Sequence, residues 1–323
     1  MSTKEPSNIS EGTSDSSSAE RSTLRKGMIA GIFCYICWGV FPLYWKLLDT
    51  VDPFEIIAQR IIWCTVFTLA ICLILRLDFI ALLKSKRARK YLIPSAILIS
   101  INWTVYVYAV SIDRIIETAI GYYLNPLVSI LLGMIVFKER LSVLEICATV
   151  LCSAGILFFT FNYGAFPWIS ILLAISFGVY GAVKKKGGYP AVEALAFENL
   201  VALVPAIVLA IAMAQITGTH GFLGDTTSLN GWFITFLLIG GGIVTAIPLI
   251  LFATAANNIP LTILGFLQYI SPTIALMLGV FVNGEPFTLA HAVCLACIWS
   301  GLALVGISSI RSARRQSTEQ ASR

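Results

Sequence analysis

The chain alternates between long apolar stretches and short polar or Pro/Gly-bearing connections. The stretches are about 18–24 residues long, the length that a helix needs to cross roughly 30 Å of hydrocarbon. The pattern predicts an all-α integral membrane protein with ten transmembrane helices, at 27–48, 54–75, 91–112, 116–137, 142–161, 165–183, 191–214, 231–254, 259–282 and 287–309.

The two ends of the chain differ from this pattern. Residues 1–26 are rich in Ser, Thr, Glu and Lys and lack apolar periodicity, which predicts a disordered tail. The apolar stretch that follows is too long for a cleavable signal and lacks a small-residue cleavage site, so the first span is interpreted as the insertion signal. Residues 310–323 form a second, basic tail.

Composition supports a membrane location. Hydrophobic residues make up 58% of the chain and charged residues 12%, whereas soluble domains carry about 25% charged residues. Lipid must therefore cover most of the surface. The net charge of +5 does not indicate a nucleic-acid partner, because the basic residues lie in short loops between spans instead of forming one patch.

The basic residues are unevenly divided between the two predicted membrane faces. One face carries seventeen of them, and the other carries Lys46 and Arg114. The seventeen are Arg21, Arg25, Lys26, Arg76, Lys84, Lys86, Arg87, Arg89, Lys90, Lys138, Arg140, Lys184, Lys185, Lys186, Arg311, Arg314 and Arg315. The positive-inside rule places that face, and with it both termini, in the cytoplasm.

An internal repeat divides the spans into two sets of five. The segment from Gly121 to Pro126 recurs 146 residues later, ending at Pro272, and the same offset aligns Gly133 with Gly279 and Glu139 with Glu285. A looser match aligns Trp38-Gly39 with Phe177-Gly178. Because five is odd, the second half, 165–309, must be inverted relative to the first, 27–161. Inverted repeats are typical of secondary transporters.

Two charged residues lie inside predicted spans, where charge is costly. Arg60 is in the second span and Glu198 in the seventh, at positions that the repeat aligns with an offset of 138. We interpret Arg60 as a substrate-binding residue and Glu198 as the coupling-ion site, for a proton or another cation. A direct ion pair and a bridge by water or solute both stay open. In the alternative interpretation, Arg60 extends to the outer headgroups and Glu198 is protonated or hydrated.

Four further residues are candidates for lining a cavity. Trp38 lies deep in the first span, and Trp103 lies deep in the third, directly after the polar Asn102. Gln268 lies four residues before Pro272 in the ninth span. We interpret all four as substrate-binding residues, whereas Tyr44, Trp45, Tyr122 and Tyr123 are interpreted as an interfacial aromatic belt. Gly240–Gly242, Thr245 and Pro248 predict a hinge or an unwound segment in the eighth span, with close packing as the alternative.

Other chemistry has little support. All eight cysteines lie in apolar segments and are predicted to be buried free thiols, and the two CxxC pairs lack further metal ligands. The chain contains no GxxxxGK[ST], HExxH or Gly-x-Ser-x-Gly motif. We therefore predict neither enzymatic activity nor a metal or other cofactor.

Several motifs together resemble one family. They are Tyr35-x-x-Trp38-Gly39-x-x-Pro42-x-Tyr44, Glu55-x-x-x-x-Arg60-x-x-Trp63, Asn102-Trp103, Gly121-Tyr-Tyr-x-Asn-Pro126, Lys138-Glu-Arg-Leu141, Thr245-x-x-Pro248-Leu249 and Leu267-Gln-Tyr-x-x-Pro272. Over about residues 27–310 the chain resembles the RarD subfamily of EamA-type transporters, in the drug/metabolite transporter superfamily. The resemblance implies a ten-helix permease of the bacterial inner membrane and a link to chloramphenicol sensitivity or resistance.

The residues and the resemblance together predict a secondary transporter that moves a small organic solute or drug-like metabolite by alternating access. The partners are the solute, protons and membrane lipids. The alternative is an uncoupled channel or facilitator for a small solute. A membrane-embedded enzyme is disfavoured because the catalytic motifs are missing.

Overall fold

The structure is a computed structural model that describes residues 10–112, 114–163, 166–217, 222–223, 227–284 and 287–321. The elements that it describes are twelve helices. They are α1 Ser10–Lys46, α2 Pro53–Ile74, α3 Phe79–Lys84, α4 Lys86–Ser111, α5 Ile115–Phe137, α6 Val143–Tyr163, α7 Trp168–Gly187, α8 Ala191–Thr217, α9 Leu229–Asn258, α10 Leu261–Gln268, α11 Ile270–Asn283 and α12 Leu289–Ala321.

Within the described residues, ten helical spans are long and apolar enough to cross a membrane, which confirms the predicted number. The ninth span, Leu261–Val282, consists of α10 and α11 together. Local sequence explains several boundaries: Asp52 caps the first turn of α2 and Pro53 occupies its start. Ser228 caps α9 in the same way.

Several details differ from the prediction. The short helix α3 was not predicted, α4 begins at Lys86 instead of at residue 91, and α9 continues to Asn258, four residues beyond the predicted end of its span. The segment is not unwound in this conformation, since α9 runs unbroken through Gly240–Gly242 and Pro248, and the hinge stays a prediction. Gly242 serves close packing, because a Cβ there would lie 2.5 Å from the backbone carbonyl carbon of Trp63 on α2. The ninth span is divided into α10 and α11 at Tyr269, whose backbone angles stay close to helical values (φ −64°, ψ −16°).

The N-terminal tail is described in part. Residues 1–9 lie outside the described residues, and α1 is helical from Ser10 onward. The predicted disorder of residues 1–26 therefore stays a prediction. Residues 322–323 of the C-terminal tail also lie outside the described part of the chain.

The two halves pack as an inverted repeat. A Cβ at Gly39 on α1 would lie 2.7 Å from Ile274 on α11, and a Cβ at Gly178 on α7 would lie 2.6 Å from Val128 on α5. Gly39 and Gly178 are aligned by the repeat, and so are Val128 and Ile274. In one crossing the first half supplies the glycine and the second half supplies the branched side chain. In the other crossing these contributions are reversed, as a pseudo-two-fold axis requires.

A second pair of crossings follows the same axis. The Cys34 thiol on α1 donates to the Pro248 carbonyl on α9 at 3.2 Å. Its counterpart joins α4 to α7, where the Asn102 amide donates to the Leu173 carbonyl at 2.9 Å. Asn102 and Pro248 are aligned by the 146-residue offset, and the offset of 139 aligns Cys34 with Leu173. Asn102 therefore has a packing role at a helix crossing besides any role toward a solute.

The outside of the bundle is apolar. Leu229, Phe161 and Phe281 expose 90%, 79% and 80% of their surfaces, which is favourable against lipid and unfavourable against water. All eight cysteines are free, as predicted. Cys147 differs from the predicted burial because it lies on the exposed surface of α6.

Candidate functional site

A cavity of about 650 Å³ lies in the centre of the bundle. Its wall includes Ile115 at the start of α5 and reaches inward to Trp38, Asn102 and Gln268. From the α1–α2 connection and its flanks the wall includes Lys46, Leu48, Asp49, Val51 and Pro53. We call the membrane face that carries the α1–α2 connection the outer face and the opposite one the inner face. The cavity extends from the outer face to the middle of the spans.

All five sequence-predicted substrate-binding residues lie along this cavity. Trp38, Arg60, Asn102, Trp103 and Gln268 come from four different spans and meet at its wall. The sequence-predicted coupling residue, Glu198, is not among the lining residues. The aromatic pair Tyr106 and Tyr122 also faces the cavity.

Arg60 is held by two aromatic rings and one hydroxyl. Its guanidinium carbon lies 4.6 Å from the ring centroid of Trp45 and 5.0 Å from that of Trp103. Its Nε donates to the Thr245 hydroxyl at 3.0 Å. Cation–π contacts of this kind contribute up to about 2 kcal/mol when the site excludes water. Arg60 therefore does not extend to the headgroups, and its environment fixes the direction in which its terminal amino groups point.

Three carboxamides lie along the same wall. Asn102 donates to Leu173 and Ser176 of α7, and the Gln268 amide donates to Ser129 at 3.0 Å. The buried oxygens of Gln268 and Asn125 accept no hydrogen bond within the described residues. Such acceptors usually find a partner, so these two mark a place where bonding is incomplete in this conformation.

The cavity ends on a layer of packed rings that we call the aromatic floor: Trp38, Phe177, Tyr180 and Phe252. The ring centroids of Trp38 and Phe177 are 5.6 Å apart, and those of Phe177 and Phe252 are 5.3 Å apart. Tyr180 stacks on Phe252 at 5.5 Å. These residues belong to the largest buried cluster of the bundle, so the floor is a dense barrier between the cavity and the inner face.

Glu198 lies on the inner side of the floor in a buried ion pair. The Lys184 ammonium donates to both carboxylate oxygens, at 2.7 and 2.9 Å, and the Ser95 hydroxyl donates at 2.7 Å. The side chains of Lys184 and Glu198 are only 3% and 2% exposed. Lys184, which the sequence placed in a loop, is thus a buried residue of α7. The direct Arg60–Glu198 pair that was left open does not form in this conformation.

The environments of Arg60 and Glu198 correspond under the repeat. Glu198 contacts Lys184, whose counterpart at an offset of 139 is Trp45, and Trp45 contacts Arg60. Glu198 also contacts Ser95, whose counterpart is Gly241, and Gly241 packs beside the Arg60 side chain. At aligned positions, the first half therefore carries a cation that faces the cavity, and the second half carries a buried ion pair.

A further set of polar contacts closes the inner face, and we call it the inner seal: Glu139, Lys185 and the first residues of α10. Glu139 accepts from the backbone N–H groups of Leu261 and Thr262, both at 2.8 Å. The Lys185 ammonium lies 3.8 Å from Glu139 and donates to the carbonyls of Ala256 and Ile259. A carboxylate at a helix N-terminus is a favourable arrangement, and here it ties α5, α7 and α10 together. Glu285, the counterpart of Glu139, lies outside the described residues.

Sequence reasoning gave four residues of this arrangement another place. Trp45 and Tyr122 were assigned to the interfacial belt, Thr245 to a hinge and Lys184 to a loop, whereas Trp45 and Tyr122 line the cavity. The repeat relates Trp45 to Lys184, because the two positions align with each other. In the structure each of them contacts an intramembrane charge. Nothing in the sequence alone points to the bond between Thr245 and Arg60.

Comparison with known proteins agrees with the division of the chain into two halves. The profile of the EamA-like transporter family matches residues 25–161 and 167–307. "Uncharacterized transporter YojE" of Bacillus subtilis is 39% identical over 89% of this chain and 95% of its own length. "Protein RarD" of Escherichia coli is 35% identical over 91% of this chain and 98% of its own length. A crystal structure of a protein 17% identical to this chain shares the fold with a TM-score of 0.66, covering 86% of this chain and 96% of that one.

Proposed function

This chain belongs to the EamA-like transporter family, and from that premise we propose that it is a secondary transporter that moves a small organic solute across the bacterial cytoplasmic membrane by alternating access. The resemblance to RarD that the motifs indicated is confirmed by relatives of that name. We propose no catalytic activity for the chain.

One observation carries the proposal. The central cavity reaches from the outer face only to the aromatic floor, and the inner seal closes the bundle beyond it. A channel needs a continuous path, whereas a carrier exposes its site to one face at a time. We therefore interpret the conformation described here as the outward-facing state of a carrier.

The repeat suggests how the other state forms. Lys185 of the inner seal aligns with Lys46 at the outer mouth of the cavity, with an offset of 139. In the inward-facing state we expect Lys46 to approach the start of α5, as Lys185 approaches the start of α10 here. The outer face would close and the aromatic floor would open, exchanging the roles of the two halves.

We assign different roles to the two intramembrane charges. Arg60 binds a polar or anionic part of the solute in the outward-facing cavity, with Trp38, Asn102, Trp103 and Gln268 forming the remaining contacts. Glu198 is the proton site in the opposite half, where protonation would release its carboxylate from Lys184. The double variant Lys184→Met/Glu198→Gln, which leaves no unpaired buried charge, should then keep solute exchange and lose accumulation driven by a pH gradient.

The experiment that tests the function is transport by the purified chain in liposomes with imposed ion gradients, screened over small organic solutes. A coupled carrier accumulates its solute above the outside concentration when the correct gradient is applied. Equilibration without accumulation under every gradient would instead favour the uncoupled channel or facilitator.

The orientation of the chain follows from charge and is a separate prediction. We expect both termini in the cytoplasm, because seventeen basic residues cluster at the inner face. A C-terminal alkaline-phosphatase fusion should be inactive, and a fusion to the α1–α2 connection should be active. An active C-terminal fusion would contradict the orientation and would exchange the inner and outer faces named here.

The link to chloramphenicol comes from the RarD resemblance and is tested in cells. We propose that expression of the chain changes the concentration of chloramphenicol that inhibits growth. The matched control is the Trp103→Ala variant at equal membrane abundance, which removes one ring from the cavity wall against which an uncharged solute would pack and should reduce that change.

A further inference from the structure

Arg60 has bonding capacity that the protein leaves unused. Its Nε is bonded to Thr245 and its two faces are covered by Trp45 and Trp103. The four N–H groups of the two terminal nitrogens remain, and they form the fork that pairs with a carboxylate. Among the described residues, no carboxylate lies within 4 Å of this guanidinium.

The rest of the cavity contains little charge. The only other ionised side chains among the lining residues described are Lys46 and Asp49, both at the outer mouth and of opposite sign. Deep in the cavity Arg60 is the one charged group among the lining residues described, and its terminal nitrogens face the open space of the cavity. A solute with a single negative charge would neutralise the site, whereas a cation would be repelled.

The other walls favour an apolar solute. Trp38, Trp103, Tyr106 and Phe177 present ring surfaces around the space beside Arg60. The volume of about 650 Å³ lies in the range of pockets that enclose drug-sized molecules, about 300–1,000 Å³. Flat rings pack well against such walls.

We propose that the transported solute is an organic monoanion, with one carboxylate bound by the Arg60 fork and a flat apolar body packed against the aromatic walls. This inference rests on the proposed transport function and specifies its substrate class. Uncharged molecules such as chloramphenicol fill only the apolar part of the site and bind more weakly than a matched carboxylate.

Binding to the full-length chain in lipid nanodiscs tests the substrate class. The probes share one ring system and differ in charge: 2-naphthoate, the neutral 2-naphthamide and the cationic 2-(aminomethyl)naphthalene. Acetate supplies a carboxylate without the apolar body. We expect 2-naphthoate to bind at least about 10-fold more tightly than each of the other three, because only it satisfies both Arg60 and the aromatic walls.

The Arg60→Gln variant gives the second readout. It should lower the affinity for 2-naphthoate to that for 2-naphthamide and leave the affinity for 2-naphthamide unchanged. Equal binding of the carboxylate and the amide to the unaltered chain would overturn the proposal, and so would no binding of any probe at millimolar concentration. The selectivity of the unaltered chain decides the question even where the variant fails to fold.

The same experiment separates this inference from the transport function. Nothing is transported in a nanodisc, so a preference for a neutral or cationic probe would refute the substrate class and leave accumulation in liposomes as the test of function. Conversely, selective binding of 2-naphthoate without accumulation of any solute would support the site and contradict the carrier.

Discussion

The Lys184→Met variant should be strongly destabilised, by about 3–5 kcal/mol, because it leaves the Glu198 carboxylate buried without its cation. Glu198 is 2% exposed, and only Ser95 would still donate to it. We expect a large fall in the unfolding temperature of the purified chain in detergent and in its abundance in the membrane. The unfolding temperature is measured by size-exclusion chromatography after heating, and the abundance by immunoblotting of isolated membranes.

The matched control removes both charges of the pair. Adding Glu198→Gln to Lys184→Met should recover most of the lost stability, because the remaining amide carries no charge. Lys186→Met removes an exposed lysine two residues away on the same helix and should change stability little. A Lys184→Met variant as stable as the unaltered chain would show that the buried pair does not form.

The recovered double variant also separates a structural role from a coupling role. If the pair serves only to hold α7 against α8, the double variant should accumulate solute in a pH gradient as the unaltered chain does. If Glu198 is the proton site, the double variant should exchange solute across the membrane without accumulating it.

Arg60→Lys should lower the apparent affinity for the transported solute by about 100-fold while changing stability much less. Lysine keeps the charge but loses the planar fork, the bond from Nε to Thr245 and the stacking between Trp45 and Trp103. Two charge-assisted hydrogen bonds to a solute are together equivalent to about 3 kcal/mol or more, and each 1.4 kcal/mol is a tenfold change in affinity. The measurement is the concentration dependence of uptake into liposomes, normalised to reconstituted protein.

Two controls make the Arg60 result specific. Lys46→Gln removes a positive charge at the mouth of the same cavity and should affect affinity by less than Arg60→Lys does. Thr245→Val removes the one hydroxyl bonded to Arg60 Nε and should give an intermediate loss. Normal affinity in Arg60→Lys would mean that the guanidinium is structural and that the solute binds elsewhere.

The sequence was sufficient for the architecture because lipid imposes strong constraints on a chain. A span needs a long apolar run and an unpaired polar group inside it is costly, so hydropathy alone gave the ten spans. The same cost identified Arg60, Asn102 and Gln268 as residues that need a reason to be in the membrane. The repeat then indicated that the halves face each other around one centre, where these residues lie along the cavity.

The features that the sequence did not predict depend on contacts between residues that are far apart in the chain. Lys184 belongs to a run of three lysines that looks like a helix end at the inner face, and only the packing of α7 against α8 shows that its side chain turns inward to Glu198. The glycines of α9 fit a hinge and a tight crossing equally well until Trp63 is placed against Gly242. By contrast, the irregularity at Tyr269 has a local signal, because Pro272 has no N–H to donate to the Gln268 carbonyl and its ring crowds the preceding turn.

The alternation of access between the two faces is tested most directly by distances across each mouth of the bundle. Spin labels at Asp49 and Ile115 span the outer mouth, and labels at Arg140 and Lys186 span the inner face beside the seal. The more accessible native cysteines, Cys37, Cys147 and Cys297, are first replaced by serine. Double electron–electron resonance then reports both distances in the same lipid nanodiscs, with and without solute.

We predict that the two distances change reciprocally: whenever the inner pair moves apart, the outer pair moves together. Lys185→Gln weakens the inner seal and should favour the conformation with the longer inner and shorter outer distance, whereas Lys46→Gln, at the aligned position, should favour the opposite one. An inner distance that stays short under every condition while solute still crosses the membrane, or two mouths that open together, would contradict alternating access.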